Sequence, residues 1–325
     1  MSEFISNLFE GAVIHENTIS NTYLNTPELT EGLMRASFKM GEWEMRQWQL
    51  EGIGMKYFDV RSQVSFAANH QHDYDVVHLH FNLSGRSSIF NHLYQGADTF
   101  GNMQHNMNYA NGFNGITQYD DGSNKTFFIQ FTKEAFLKLT QNTSEKLMRF
   151  GEKVLEGKAS KISESNGLID VQMHNIINSI INCQYSGGIK KIFFLSKCFE
   201  MLVLQADAFE QQENKKFIYL KTEYDKERIL YAREYLLSHI DNPPTIPELS
   251  KIAGVNEFKL KKGFKEVFGN TIFAYLTDYK LEMARNQLQE GMKTATELSM
   301  ELGYSSLQHF SKAYKNKFGN SPLKS

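Results

Sequence analysis

The sequence is short of cysteine, of net charge and of long apolar runs. Only Cys183 and Cys198 occur in 325 residues, too few for a disulfide framework and compatible with a reducing, cytoplasmic location. Lysine and arginine number 35 against 37 aspartates and glutamates, a net charge of −2, which excludes a uniformly basic nucleic-acid coat. No run reaches the ~18 apolar residues of a membrane span. The nearest, 189–205, is broken by Lys190, Lys191, Lys197 and Glu200, so no membrane partner is expected. The first twenty residues lack a basic patch followed by an apolar stretch, and no signal peptide is expected. There is no phosphate loop, no Gly-x-Ser-x-Gly elbow and no spaced Cys/His set, so no catalytic residue, metal or cofactor is expected.

What is present is an ordinary globular composition, 41% hydrophobic and 22% charged, over a length that suits two or three domains. Residues 53–132 are rich in β-branched and aromatic residues. Within them 53–60, 76–83 and 125–132 alternate as strands, separated by Gly- and Asn-rich turns. From Lys133 to about residue 210 the apolar spacing becomes helical. The polar stretch 211–216 reads as a linker, which divides the chain into 1–215 and 216–325. The expected class is α+β: an antiparallel barrel or sandwich with a helical segment, then an all-helical domain.

The charge is uneven. Residues 224–325 carry an excess of three positive charges, and the rest an excess of five negative ones. The same C-terminal region contains a repeat. Thr245-Ile-Pro-Glu-Leu-Ser-Lys-Ile-Ala-Gly254 aligns with Thr294-Ala-Thr-Glu-Leu-Ser-Met-Glu-Leu-Gly303. One residue further on in offset, Leu260, Lys262, Phe264, Lys265, Phe268 and Gly269 answer to Phe310, Lys312, Tyr314, Lys315, Phe318 and Gly319. Thr245 with Glu248, and Thr294 with Glu297, have capping-box spacing. Each short helix ends at a glycine able to turn left-handed, and a second helix follows at once, about 257–268 and 307–318. Two helices joined by a tight glycine turn form a helix-turn-helix, here present twice.

At about 100° per residue, Leu260, Phe264 and Val267 share one side of the first outer helix, with Phe258, Lys261, Lys262 and Lys265 opposite. In the second copy Leu307, Phe310 and Tyr314 face Gln308, Ser311, Lys312 and Lys315. These outer faces hold Lys, Gln and Ser and no acid, a set able to donate to phosphates and to purine edges in a major groove. Double-stranded DNA is the expected partner. A helix over 271–288 joins the copies and another, 225–239, precedes them. A separation of about 34 Å would place both outer helices in successive major-groove segments.

This pattern resembles the AraC family of transcription regulators over residues 223–325. The resemblance rests on the two helix-turn-helix units, on the run Leu302-Gly-Tyr-Ser-Ser-Leu-Gln-His-Phe-Ser-Lys-Ala-Tyr-Lys-Asn-Lys-Phe-Gly-Asn-Ser-Pro322, and on Lys280-Leu-Glu-Met-Ala-Arg-Asn-Gln-Leu288 in the bridging helix. Lys280 stands where the family usually has Arg, Gln287 where it usually has Leu, and the family's Tyr-Arg after the proline region is missing before Ser325. The resemblance implies base reading by Phe258, Lys261 and Lys262 in the first unit, and by Gln308, Ser311 and Lys312, with His309 beside them, in the second. Lys265 and Lys315 are placed for phosphates.

For residues 1–210 the resemblance implies a cupin-like β-barrel that senses a small molecule, then a helical dimerisation segment. It also implies a bias towards activation and a contact with RNA polymerase. The chain is similar, too, to the subgroup that regulates siderophore uptake. His70, His72, His78 and His80 lie within eleven positions, and His78 and His80 share one strand face. They are candidates for lining an effector pocket; a metal site, as in metal-binding cupins, is the alternative. The aromatic residues, 13% of the chain, either fill the barrel core or line that pocket. Cys198 reads as a small core residue. The helix over 189–209 is apolar on too broad a surface for one-sided packing, with Ile192, Phe193, Leu195, Phe199, Leu202 and Leu204, and is the expected homodimer contact. Two other readings remain open here: a metal-dependent cupin-type enzyme with a DNA-binding tail, and a constitutive dimeric regulator without effector.

Overall fold

The computed structural model describes residues 24, 26–38, 41–92, 97–214, 218–289 and 293–322, and of residues 38, 69–74, 212–214, 223, 286 and 289 the backbone alone. The chain divides into two compact units, Met1–Asn214 and Lys215–Ser325. The first is an antiparallel sheet followed by helices and the second is helical, which is the α+β class read from the sequence.

The sheet is built from β1 (Thr30–Phe38), β2 (Gly41–Leu50), β3 (Ile53–Ser62), β4 (Phe66–Ser84), β5 (Ser87–Asn91), β6 (Ala97–Phe100), β7 (Gln104–Tyr119) and β8 (Gly122–Thr132). Its order is β1-β2-β3-β8-β4-β7-β5-β6, with the short β9 (Ser160–Lys161) and β10 (Gly167–Leu168) added on β7. It therefore starts at Thr30, well before the expected residue 53. The first two strands escape a hydrophobic reading because charge occupies their alternating positions. Arg35 pairs with Glu44 across the strands at 2.7 Å, and Glu42 pairs with Arg61 at 2.8 Å. Such cross-strand pairs support a half-exposed sheet as well as apolar ones do.

Strand β4 changes neighbours along its length. Its first half, Phe66–His72, pairs with β7; from Val76 it also pairs with β8. A bulge between His72 and Asp75 marks the change, and the extra twist of a bulge lets one long strand serve both halves of a curled sheet.

One face of the sheet is apolar and covered by helices. Val77, Leu79 and Phe81 of β4 join Phe127, Ile129 and Phe131 of β8 in one buried cluster. The cover is α1 (Lys133–Leu139), α2 (Glu145–Leu155), α3 (Val171–Ile181) and α4 (Gly187–Asn214), which contribute Phe136, Phe150, Ile177, Phe194 and Phe209 among others. Helix α3 starts at Val171, because Gly167 and Leu168 pair with β7 and Asp170 caps the helix by accepting from the Met173 N–H at 2.8 Å. The polar stretch expected as a linker is helical as far as Asn214. Cys198 is fully buried on α4 and burial pushes its thiol pKa up, so it serves as a core residue.

The second unit contains α5 (Glu223–Ser238), α6 (Ile246–Ala253), α7 (Glu257–Phe268), α8 (Ile272–Gln289), α9 (Ala295–Glu301) and α10 (Leu307–Phe318). Both capping boxes form. The Glu248 carboxylate accepts from the Thr245 N–H at 2.8 Å, and Glu297 accepts from Thr294 at 2.7 Å. These bonds hold both carboxyls below the usual glutamate range. Both inter-helix turns use a glycine with positive φ, 67° at Gly254 and 69° at Gly303. Arg228 of α5 donates to the Ala253 carbonyl at 2.6 Å and so closes the C-terminus of α6.

Helix α8 packs both pairs. Its first turns bury Ile272, Tyr275 and Leu276, and Tyr275 meets Phe264 of α7 edge-on. Its later turns put Leu281 and Ala284 against Leu298, Leu302, Phe310 and Tyr314. Lys280 is almost fully buried with its ammonium 5.7 Å from the Tyr304 ring centre, and burial lowers its pKa. The charge that this position usually carries is thus kept as a cation–π contact. Gln287 is different: its Oε1 is buried without a hydrogen-bond partner among the described residues.

Two stability effects are expected. In Gly303→Ala the new Cβ would lie 2.3 Å from the Asp241 carbonyl oxygen on a left-handed backbone, and a loss of at least ~1 kcal/mol should appear as a lower thermal midpoint. Gln287→Leu removes an unsatisfied acceptor and should raise the midpoint by the equivalent of about 1 kcal/mol.

Candidate nucleic-acid interface

The two outer helices, α7 and α10, each turn one face into the core and one to solvent. Leu260 and Phe264 are fully buried on α7, as are Phe310 and Tyr314 on α10. Two residues expected on these inner faces stand elsewhere. Val267 is only half-buried, and Leu307, in the first turn of α10, is 37% exposed. Ser306 precedes Leu307 as N-cap, accepting from the His309 N–H at 3.2 Å, so this first turn stands clear of the core.

Phe258, Lys261, Lys262 and Lys265 are all exposed on α7, as are Gln308, His309, Lys312 and Lys315 on α10; Ser311 is half-buried. Phe258, 61% exposed, makes a T-shaped contact with Tyr219, ring centres 5.8 Å apart. Lys262 lies 5.8 Å from the centre of that same Tyr219 ring. Among the described residues Lys262, Lys265, Lys312 and Lys315 form no ion pair. Lys265 and Lys315 also sit in the last turns of their helices, where a cation is favoured by the helix dipole whatever else it touches. His309 is steered by a 2.7 Å hydrogen bond between its Nδ1 and the Ser305 hydroxyl.

One expectation about this face needs correcting. It is not free of acid: Glu257 pairs with Lys261 at 3.0 Å, one helical turn apart. The signal was in the sequence, since Glu followed four residues later by Lys is the favoured helical ion pair. An exposed pair of this kind is weak, so Lys261 is tethered rather than sequestered.

The N-terminal unit holds the other candidates. His78 and His80 share the second face of the sheet, opposite the apolar cluster. Here a cross-strand row runs Gln47, Lys56, Phe128, His80, Asn106, and the next row runs Gln49, Gly54, Gln130, His78, Asn108. His80 is buried and stacks on Phe100 at 3.8 Å with the edge of Phe128 at 4.6 Å. Among the described residues its Nε2 has no hydrogen-bond partner, and burial lowers its pKa to about 3. His78 Nδ1 lies 3.4 Å from Gln130 Nε2. The side chains of His70 and His72 lie outside the described residues. Lys56 was overlooked at the sequence level, although it sits at an inward position of an alternating strand; burial lowers its pKa to about 8. Phe81, Phe127 and Phe131 fill the core, while Phe100 and Phe128 pack against His80, and Phe128 also meets His78.

The buried imidazole makes an acid-sensitivity prediction. Neutral His80 binds no proton until about pH 3, whereas an unfolded histidine protonates near pH 6.5. The unfolded state therefore gains protons first, and stability is lost as pH falls from about 6.5 towards 3, by up to about 1.4 kcal/mol per pH unit. His80→Phe should flatten this dependence in denaturant titrations at pH 4–7. An unchanged slope would show that His80 does not carry it.

The comparisons with known proteins follow the same division. Residues 41–220 match the family described as regulatory protein PchR N-terminal domain, and residues 249–324 match a helix-turn-helix domain. The chain is 30% identical over 116 residues to the regulatory protein PchR of Pseudomonas aeruginosa, a match covering 36% of this chain and 39% of that protein. It is 31% identical over 94 residues to the xylose operon regulatory protein of Escherichia coli, covering 29% of this chain and 24% of that one. These matches thus span well under two thirds of either relative. A solved structure of a regulator with an AraC-type DNA-binding domain from Chromobacterium violaceum is similar at 25% identity and a TM-score of 0.29, over 32% of this chain and 92% of that one. With more than half of its length in the first match and the double helix-turn-helix behind it, the chain belongs to the AraC family of transcription regulators, in the branch with a PchR-type N-terminal domain.

Proposed function

We propose that the chain is a sequence-specific regulator, not an enzyme, that reads double-stranded DNA with α7 and α10. The observation that carries this reading is the pair of capped helix-turn-helix units whose outer helices each present lysines without an ion pair. Phe258, Lys261, Lys262, Gln308, His309, Ser311 and Lys312 are the base-reading set, and Lys265 and Lys315 hold phosphates. The N-terminal unit takes a small-molecule effector on the sheet face around His78, His80, Gln130 and Lys56, where buried polar groups stand among aromatic rings. The resemblance to siderophore-uptake regulators makes a siderophore the first effector to titrate. The protein works in the cytoplasm, as an activator in contact with RNA polymerase at its promoters. No described helix is long and apolar enough to cross a membrane.

Self-association through α4 is part of the same reading. Phe194, Cys198, Met201 and Phe209 face the core, while Ile189, Ile192, Phe199 and Val203 form a second, exposed apolar stripe along the opposite side of the helix. A two-fold dimer would cover that stripe with its own copy.

The test is selection of bound duplexes from a random library at two salt concentrations. A motif of two half-sites about one helical turn apart is expected. Lys262→Ala and Lys312→Ala should each lose about 1–3 kcal/mol on the selected site and relax the sequence at one half-site only. Losses of equal size on unrelated DNA would assign both lysines to phosphates. Recovery of no motif, with binding that vanishes steeply with salt, would reduce the interaction to backbone attraction.

A further inference from the structure

Residues Ile218–Thr222 form a short strap that precedes α5 and lies along α7. Three contacts fasten it. The Glu266 carboxylate accepts from the backbone N–H groups of Ile218 and Tyr219, the latter at 3.0 Å. Leu220, 2% exposed, fills the space left by Gly263, where a Cβ would lie 2.5 Å from Leu220 Cδ2. The Tyr219 ring makes a T-shaped contact with Phe258 and lies under the ammonium of Lys262. Residues 258, 262 and 266 are four apart, so the strap follows one stripe of α7, and that stripe includes two of the base-reading residues.

The repeat provides an internal comparison. At the offset of 50, Phe258, Gly263 and Glu266 correspond to Gln308, Ala313 and Asn316, whereas Lys262, Phe264 and Lys265 correspond to Lys312, Tyr314 and Lys315. Of the residues that meet the strap, Phe258, Gly263 and Glu266 have no counterpart of the same chemistry in the second copy, and Lys262 alone is kept. The first unit has a glycine where Leu220 enters, a carboxylate where the strap's N–H groups end, and a ring where Tyr219 packs. The match to the PchR N-terminal domain runs to residue 220, so in sequence the strap ends the sensor domain, while in structure it belongs to the helical unit.

From this we infer that Tyr219 is a positioning residue for DNA reading by α7: the strap holds Phe258 and Lys262 in place, and specificity at the first half-site depends on the last residues of the sensor domain. Loosening the strap would alter one half-site and leave the other intact. The inference rests on the DNA reading proposed above.

The test uses the full-length chain and the same random-duplex selection. The half-site altered by Lys262→Ala identifies the one read by α7. Tyr219→Ala should relax that half-site and weaken binding to the selected duplex about ten-fold, the scale of one lost base contact. The half-site altered by Lys312→Ala should keep its sequence. Tyr219→Phe retains the ring, and the hydroxyl forms no hydrogen bond among the described residues, so this variant should behave as wild type. Gly263→Ala displaces Leu220 and crowds Ile229, and should reproduce the Tyr219→Ala motif together with a modestly lower melting temperature, the Lys312-dependent half-site keeping its sequence. A wild-type motif from Tyr219→Ala, or equal loss at both half-sites with a lowered melting temperature, would overturn the inference. If the wild-type chain itself yields no motif, the DNA reading fails first and the inference falls with it.

Discussion

Both outer helices of the helix-turn-helix units are aimed by a backbone turn that only glycine adopts without strain. Gly254 and Gly303 take positive φ directly after a capped helix, and each fixes the angle at which the next helix leaves. At Gly303 the constraint is doubled, since the Asp241 carbonyl lies where a side chain would stand. The loop before α6 therefore presses on the turn of the second pair, and the two units are locked together by backbone as well as by α8. The burial of Phe264 and Phe310, and the outward direction of the lysines one face away, follow from those two turns.

On that scaffold the two reading helices are chemically unequal. Helix α10 presents Gln308, His309 and Lys312 with only a local Ser305 contact to steer them. Helix α7 presents an aromatic ring and a lysine, both touching Tyr219, and a second lysine tied to Glu257. The polar side chains of α10 can search several donor and acceptor patterns. Those of α7 are held, and a held side chain loses less entropy on binding.

The N-terminal unit divides its sheet in a similar way. One face is a hydrocarbon core under four helices, and the other mixes buried rings with His80, Gln130 and Lys56. Leaving His80 Nε2 without a partner costs stability, and burial keeps the imidazole neutral. A protein core gains nothing from such an atom, whereas a ligand able to hydrogen-bond to it does. A second buried imidazole, His105, bonds Gln205 of α4 at 2.9 Å and links the core face of the sheet to the helix with the exposed apolar stripe.

By itself the sequence determined the helical unit almost residue by residue. Capping boxes, terminal glycines and a 3.6-residue apolar period are local signals, and α7, α8 and α10 lie where they place them. It also determined the strands over 53–60, 76–83 and 125–132, where alternation is plain. It hid β1 and β2, because ion pairs such as Arg35 with Glu44 stabilise a strand pair only once the partner strand is known. Only the tertiary structure decided which face of β4 carries His80 towards Phe100, that Lys56 shares its row, and that Tyr219 rests on Phe258 and Lys262. Those contacts join residues twenty to seventy-two positions apart. No period or spacing encodes them, because they depend on how strands pair and helices pack rather than on how any one segment folds.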